Sequence, residues 1–179
     1  MENTLHIAAL WLHILGIALF VGPQFFLAFA WVPTSRLIGD QSTRVMAMRK
    51  ITSRFGWIGG TGLVLILVAG TYLISTWRDY YAIPDDAEFT SLRYGVIFMI
   101  KMTILIVMLV VVGLHTFVVG PRLIAKLEAQ AQGKPVSEAE IRSARMLSMA
   151  LSVTGLVLVL IIMAMGVMMT SANFSLQDA

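Results

Sequence analysis

Four apolar runs divide this chain, and each is long enough to cross a lipid bilayer: Leu5 to Val32, Phe55 to Trp77, Tyr94 to Val119 and Met146 to Thr170. A helix of about 20 apolar residues covers the roughly 30 Å of hydrocarbon in a bilayer. It also satisfies its own backbone N–H and C=O groups where no water can. Of the 179 residues, 58% are hydrophobic and 13% charged, which excludes an ordinary soluble domain. The expected fold is all-α: a polytopic membrane four-helix bundle forming a single domain over residues 1–179. The first run lacks a basic start and a small-residue cleavage site and exceeds the length of a signal-peptide core, so it reads as a retained span.

Charge orients the bundle. Between the first and second runs lie Arg36, Arg44, Arg49, Lys50 and Arg54, and between the third and fourth lie Arg122, Lys126, Lys134, Arg142 and Arg145. These five and five make ten of the 13 basic residues. The remaining connection holds Arg78 and Arg93 beside Asp79, Asp85, Asp86 and Glu88. The positive-inside bias therefore predicts two basic cytoplasmic loops, with both termini and the acidic loop outside. The net charge of +3 belongs to these flanks and does not point to nucleic acid.

Pro33 and Pro121 are expected to close the first and third spans, because proline lacks the N–H that would continue a helix. Trp11, Trp31, Trp57 and Trp77 are placed for an interfacial aromatic belt. In "GKPVSEAEIRSAR", Ser137 and Glu140 have the spacing of a capping box.

Ionisable residues inside the apolar runs carry the chemistry. Residues seven apart nearly superpose on a helix, so His6 and His13 share a face of the first span, and Gln24 returns to it. Lys101, Met108 and His115 form the same kind of stripe on the third. Both spans run inward from outside, which puts His13 and Lys101 at a common depth of about 10–12 Å. His115 lies about 20 Å deeper, near the cytoplasmic interface. On this reading His13 and Lys101 share a site and His115 does not.

Each residue has a plain reading beside the sharper one. Lys101 either snorkels along its stem to the headgroups or meets an anion. His6 reads as solvated at the outer edge, and His115 as interfacial. His13 is either a hydrogen-bonded helix contact or a ligand, imidazole being a common one for metals and haem. Pro23 leaves the carbonyl of Leu19 without its helical partner and opens room beside Gln24. Glycines and serines such as Gly62, Gly70, Ser152, Gly155 and Gly166 suit either close helix approach or a flat macrocycle. Met163, Met165, Met168 and Met169 read as apolar filler or as soft thioether ligands for Cu(I). With no cysteine in the chain, thiolate sites do not arise.

"LHILGIALFVGPQFF" resembles the first helix of the CopD-type copper-resistance membrane domain. "IKMTILIVMLVVVGLH" followed by "GPRLIAKLEAQAQGK" is similar to the third helix and basic loop of that superfamily, which also includes the HemJ-type protoporphyrinogen IX oxidases. The resemblance implies haem b, with a first-helix histidine and a third-helix lysine as the functional pair, here His13 and Lys101. It implies a multi-pass protein of the bacterial inner membrane.

The expected function is accordingly a haem-b-binding membrane redox protein. His13 would be the axial ligand, Met163 and Gln24 would lie beside the cofactor, and Lys101 would face a propionate or act on a substrate carboxylate. The alternatives are a protoporphyrinogen oxidase using the same residues, a copper permease using His6, His13 and the outer methionines, and a cofactor-free subunit of a respiratory complex; His115 is a further candidate metal ligand. The lipid bilayer is the expected partner, and a homo-oligomer or larger membrane complex is compatible with so small a bundle.

Overall fold

A computed structural model describes residues 2–179. Five helices dominate: α1 (Glu2–Phe25), α2 (Gln41–Ser75), α3 (Arg93–Leu114), α4 (Gly120–Ala131) and α5 (Glu138–Thr170). Short helical turns fill Val32–Ser35, Trp77–Tyr81, Phe89–Ser91 and Ala172–Ser175. Among the described residues the only β pairing is a single antiparallel bridge between Leu92 and Asp178. Four helical stretches are long and apolar enough to cross a membrane: Thr4–Ser35, Gln41–Ser75, Arg93–Ala131 and Glu138–Thr170. The all-helical, four-span expectation holds.

The helices are longer than the apolar runs. At about 1.5 Å per residue, the 35 residues of α2 extend about 50 Å, well beyond the hydrocarbon. The basic stretches expected as loops are therefore largely helical. Asp40 begins α2: its Oδ2 accepts from the Thr43 N–H and the Ser42 hydroxyl, both at 2.7 Å. Those two donors hold the Asp40 carboxyl well below the usual carboxylate range. Ser137 directly precedes α5, but Glu140 accepts from Lys126 Nζ at 3.0 Å instead of closing a capping box.

Pro33 and Pro121 do not end their helices. Each follows a wider π-helical segment, Phe26–Trp31 and His115–Val119, after which α-helix resumes. At the first, the Val32 N–H reaches back five residues to the Leu27 carbonyl. Widening the turn ahead of a proline re-spaces the carbonyls against which its ring would otherwise collide. Pro23 stays inside α1, and Gln24 Nε2 donates to the Phe20 carbonyl at 3.2 Å.

The chain forms two compact units, Met1–Thr76 with Gly120–Arg145, and Trp77–Val119 with Met146–Ala179. In the first, α1 packs closely along α2. A Cβ on Gly16 would stand 2.8 Å from the Gly62 carbonyl oxygen, and one on Gly62 would stand 2.7 Å from the Gly16 oxygen. Only paired glycines allow this backbone contact. Beyond the apolar part of α2, Val45 joins Leu123, Leu127 and Ile141 in a small core, with Ile124, Val136 and Ala144 against it. Burying such aliphatic side chains contributes about 1.5–3 kcal/mol each as an upper estimate. This core holds α2, α4 and the start of α5 together as a helical cap.

In the second unit, Trp77 stacks on Tyr94 at 4.7 Å with an interplanar angle of 9°, and Phe89 meets Trp77 edge-on at 5.3 Å. Trp77 is therefore buried in an aromatic cluster and does not sit in an exposed belt, whereas Trp57 is 80% exposed. Arg78 lies 5.1 Å over the Trp77 ring and donates to the carbonyls of Pro84 and Ala87. It organises the connection that the sequence marks only as acidic. The C-terminal residues dock on the start of α3, where Arg93 Nε donates to the Asp178 carbonyl and the Ala179 N–H to that of Ser91. Gly95 is required there, since a Cβ would collide with the Phe89 carbonyl.

Candidate functional site

His13 occupies the middle of the α1–α2 contact, one turn before Gly16. Its Nδ1 lies 3.0 Å from the carbonyl oxygen of Ile66. A carbonyl only accepts, so Nδ1 carries the proton, and in the neutral ring Nε2 is the basic nitrogen. Gly70 makes room for the ring: a Cβ there would stand 3.2 Å from Cε1 and 3.4 Å from Nδ1. Backbone support of one imidazole nitrogen is the arrangement that fixes tautomer and orientation in histidine ligands. His6 is half-buried two turns earlier on α1, and Gln24 is half-buried and occupied with its own helix.

The second unit gathers the other stripe. Lys101 is half-buried, and its Nζ lies 3.7 Å from the point a Cβ on Gly166 would occupy. His115 Nε2 lies 3.3 Å from Ser152 Oγ. Val112 packs against Gly155 between them, where a Cβ would stand 3.3 Å from Cγ2. The fourteen residues from Lys101 to His115 match the fourteen from Ser152 to Gly166, so α3 and α5 run antiparallel in one register. Met108 and Val159, 2% and 5% exposed, fall at the midpoint of each stripe. The stripe expected from sevenfold spacing thus faces α5, with polar residues at its two ends and an apolar middle.

These two ends differ chemically. The Ser152 hydroxyl donates its single proton to the Ser148 carbonyl at 2.9 Å, so in the contact with His115 the Nε2–H is the donor. His115 Nδ1 is then the bare nitrogen of the neutral ring, and it is buried without a hydrogen-bond partner. Lys101 makes no hydrogen bond or ion pair with another described residue. Gly166 leaves space at its ammonium group, and a lysine within an apolar span is retained where it meets an anion or a polar cavity.

Met163 is 36% exposed, while Met169 is buried. Tyr81 donates to the Met169 carbonyl across 3.4 Å, and burial, followed by the neighbouring Tyr80, pushes its phenol up. No three His, Cys, Asp or Glu side chains are gathered to hold a metal ion among the described residues.

Sequence reading picked out His13, Lys101 and His115 but not their partners. A backbone acceptor such as the Ile66 carbonyl leaves no mark on residue type. Gly70, Ser152 and Gly166 were visible only as small residues on the facing helices. Comparison with protein families, with curated proteins and with solved structures finds no match for the chain.

Proposed function

We propose that this protein is a haem-b-binding membrane redox protein of the CopD-like class, with His13 as an axial ligand. The observation that carries the reading is the Nδ1–H donation from His13 to the Ile66 carbonyl. It makes Nε2 the basic nitrogen and holds the ring by a helix backbone, which is what an axial imidazole requires. Bound haem would supply a one-electron Fe(III)/Fe(II) couple. The chain's own part is to orient His13 through Ile66 and Gly70 and to keep its surroundings apolar. Lys101, in the second unit, offers a cation suited to a carboxylate. The positive-inside bias favours an orientation with the helical cap in the cytoplasm, and the resemblance to the CopD-type domain favours the bacterial inner membrane.

The test is an optical spectrum of the detergent-purified protein, reduced minus oxidised, with haem quantified per chain. A b-type spectrum lost in His13→Ala supports the assignment. A colourless protein from cells well supplied with haem removes it, and stoichiometric Cu(I) binding in that case would favour the copper-handling alternative.

A further inference from the structure

Beyond α5 the chain doubles back onto α3, within the second unit. Ser171 is extended and ends α5 at Thr170. The turn Ala172–Ser175 then leads residues 177–179 alongside residues 91–93. The Arg93 N–H donates to the Gln177 carbonyl at 3.0 Å, and the Ala179 N–H to the Ser91 carbonyl at 2.9 Å. These bonds flank Leu92 and Asp178, which face each other as the non-hydrogen-bonded pair of an antiparallel bridge. The Arg93 N–H belongs to the first turn of α3, so the returning segment satisfies a donor that the helix itself leaves open.

One side chain carries much of the remaining contact. Arg93 Nε donates to the Asp178 carbonyl at 3.1 Å, and its guanidinium lies 5.2 Å over the Phe174 ring. Arg93 is eight residues before Lys101, and Phe174 is eight residues after Gly166. The register that sets Lys101 Nζ against Gly166 therefore runs on into the returning segment. Side chains on a helix lean toward its N-terminus, so the Lys101 stem rises toward Arg93. From Gly166 to the end of α5 at Thr170 is about 6 Å of helix. The ammonium group thus lies about one turn beneath the segment that bridges α5 to α3.

The docking carries a built-in opposing force. Ser175 is 0% exposed, yet its hydroxyl has no hydrogen-bond partner among the described residues. A buried unpaired hydroxyl disfavours the docked state, because release returns it to water. Against it stand a few hydrogen bonds and one cation–π contact at the end of the spans, each individually weak. A segment held in this way opens without unfolding the helices beneath it.

We propose that residues 171–179 form a reversible strap that closes the aqueous end of the α3–α5 pair and controls access to the Lys101 ammonium group. An anion approaching Lys101 from water enters when the strap lifts. When the strap docks, the anion is shut off from bulk solvent and its attraction to the ammonium strengthens. This inference stands whether or not a cofactor binds at His13.

The experiment uses the full chain in detergent micelles and a water-soluble amine-acetylating reagent, with acetylation at each lysine followed by mass spectrometry. Lys50, Lys126 and Lys134, all in the first unit, are internal references. The chain has no cysteine, so Leu92→Cys combined with Asp178→Cys introduces one disulfide across the bridge, where the Cα atoms of such a pair stand about 4.5 Å apart. Lys101 should be acetylated about tenfold more slowly in the oxidised form than in the same sample reduced. Phe174→Ala should speed Lys101 acetylation by about threefold. Ser175→Ala, which removes the unpaired hydroxyl, should slow it. Equal Lys101 rates in the oxidised and reduced sample overturn the proposal, and so does failure of the disulfide to form. Faster acetylation in Ser175→Ala, or equal changes at the three reference lysines, also overturns it.

Discussion

The Nδ1 of His13 on α1 donates to the carbonyl oxygen of Ile66 on α2, 3.0 Å away, and Gly70 leaves the ring its place. Replacing Gly70 by alanine would set a methyl group 3.2 Å from Cε1, so the imidazole would have to give way by a few tenths of an ångström. Under the proposed haem assignment, Gly70→Ala should therefore lower haem retention with little change in helix content, read by absorbance and circular dichroism on the same sample. An unchanged spectrum would mean that the ring does not depend on this support.

His13 and His115 both lie on helices apolar enough to cross a membrane, and they sit in different units with opposite tautomers. Under the proposed haem assignment, His13→Ala is expected to abolish haem retention and His115→Ala to preserve most of it. Equal loss from both would break the assignment of the axial ligand to His13.

The Gly16–Gly62 contact leaves no room for a methyl group on either helix. Gly62→Ala should destabilise the protein by about 1–3 kcal/mol through overpacking. Gly60→Ala, where a Cβ meets nothing within 4 Å, should not. Unfolding in mixed detergent micelles compares the two; equal effects would show that the helices can part without penalty.

Ala82 has φ of 53° and Gly133 φ of 72°. Both close helix ends with the same pair of backbone bonds: Ile83 N–H to Arg78 O with Ala82 N–H to Asp79 O, and Lys134 N–H to Ala129 O with Gly133 N–H to Gln130 O. This C-terminal motif needs a left-handed residue, which glycine adopts without strain. Ala82→Gly should consequently raise stability by about 1 kcal/mol, seen as a higher melting temperature. A lower one would show that the glycine's extra freedom in the unfolded chain outweighs the relief.

Asp40 ties the start of α2 through Thr43 and Ser42. Its carboxyl is lowered in the folded protein, so the stabilisation is complete above the ordinary carboxylate pKa of about 4 and is lost as pH falls below it. Protection against hydrogen exchange at residues 43–45, taken relative to the intrinsic rate at each pH, should fall on acidification, and Asp40→Asn should remove that acid dependence. An identical pH profile in the variant would exclude Asp40 as its source.

Much of this architecture is legible in the chain alone, because hydropathy and helical period are local properties. Four apolar runs specify four helices that can cross a membrane, and sevenfold spacing puts Lys101, Met108 and His115 on one face. Residue type also marks His13 as a polar group that must find a partner. Three things were decided only when helices met. The basic stretches became a helical cap because Val45, Leu123, Leu127 and Ile141, each unremarkable in its own segment, bury one another. The prolines did not terminate helices because a widened turn ahead of each absorbed the clash. The many glycines sorted into distinct roles, Gly16 and Gly62 for backbone contact, Gly70 for an imidazole and Gly166 beside an ammonium group, according to what stood opposite. Local chemistry sets which segments are helical and which residues are costly to bury; the partner that offsets the cost lies on another helix, and only packing determines which atom that is.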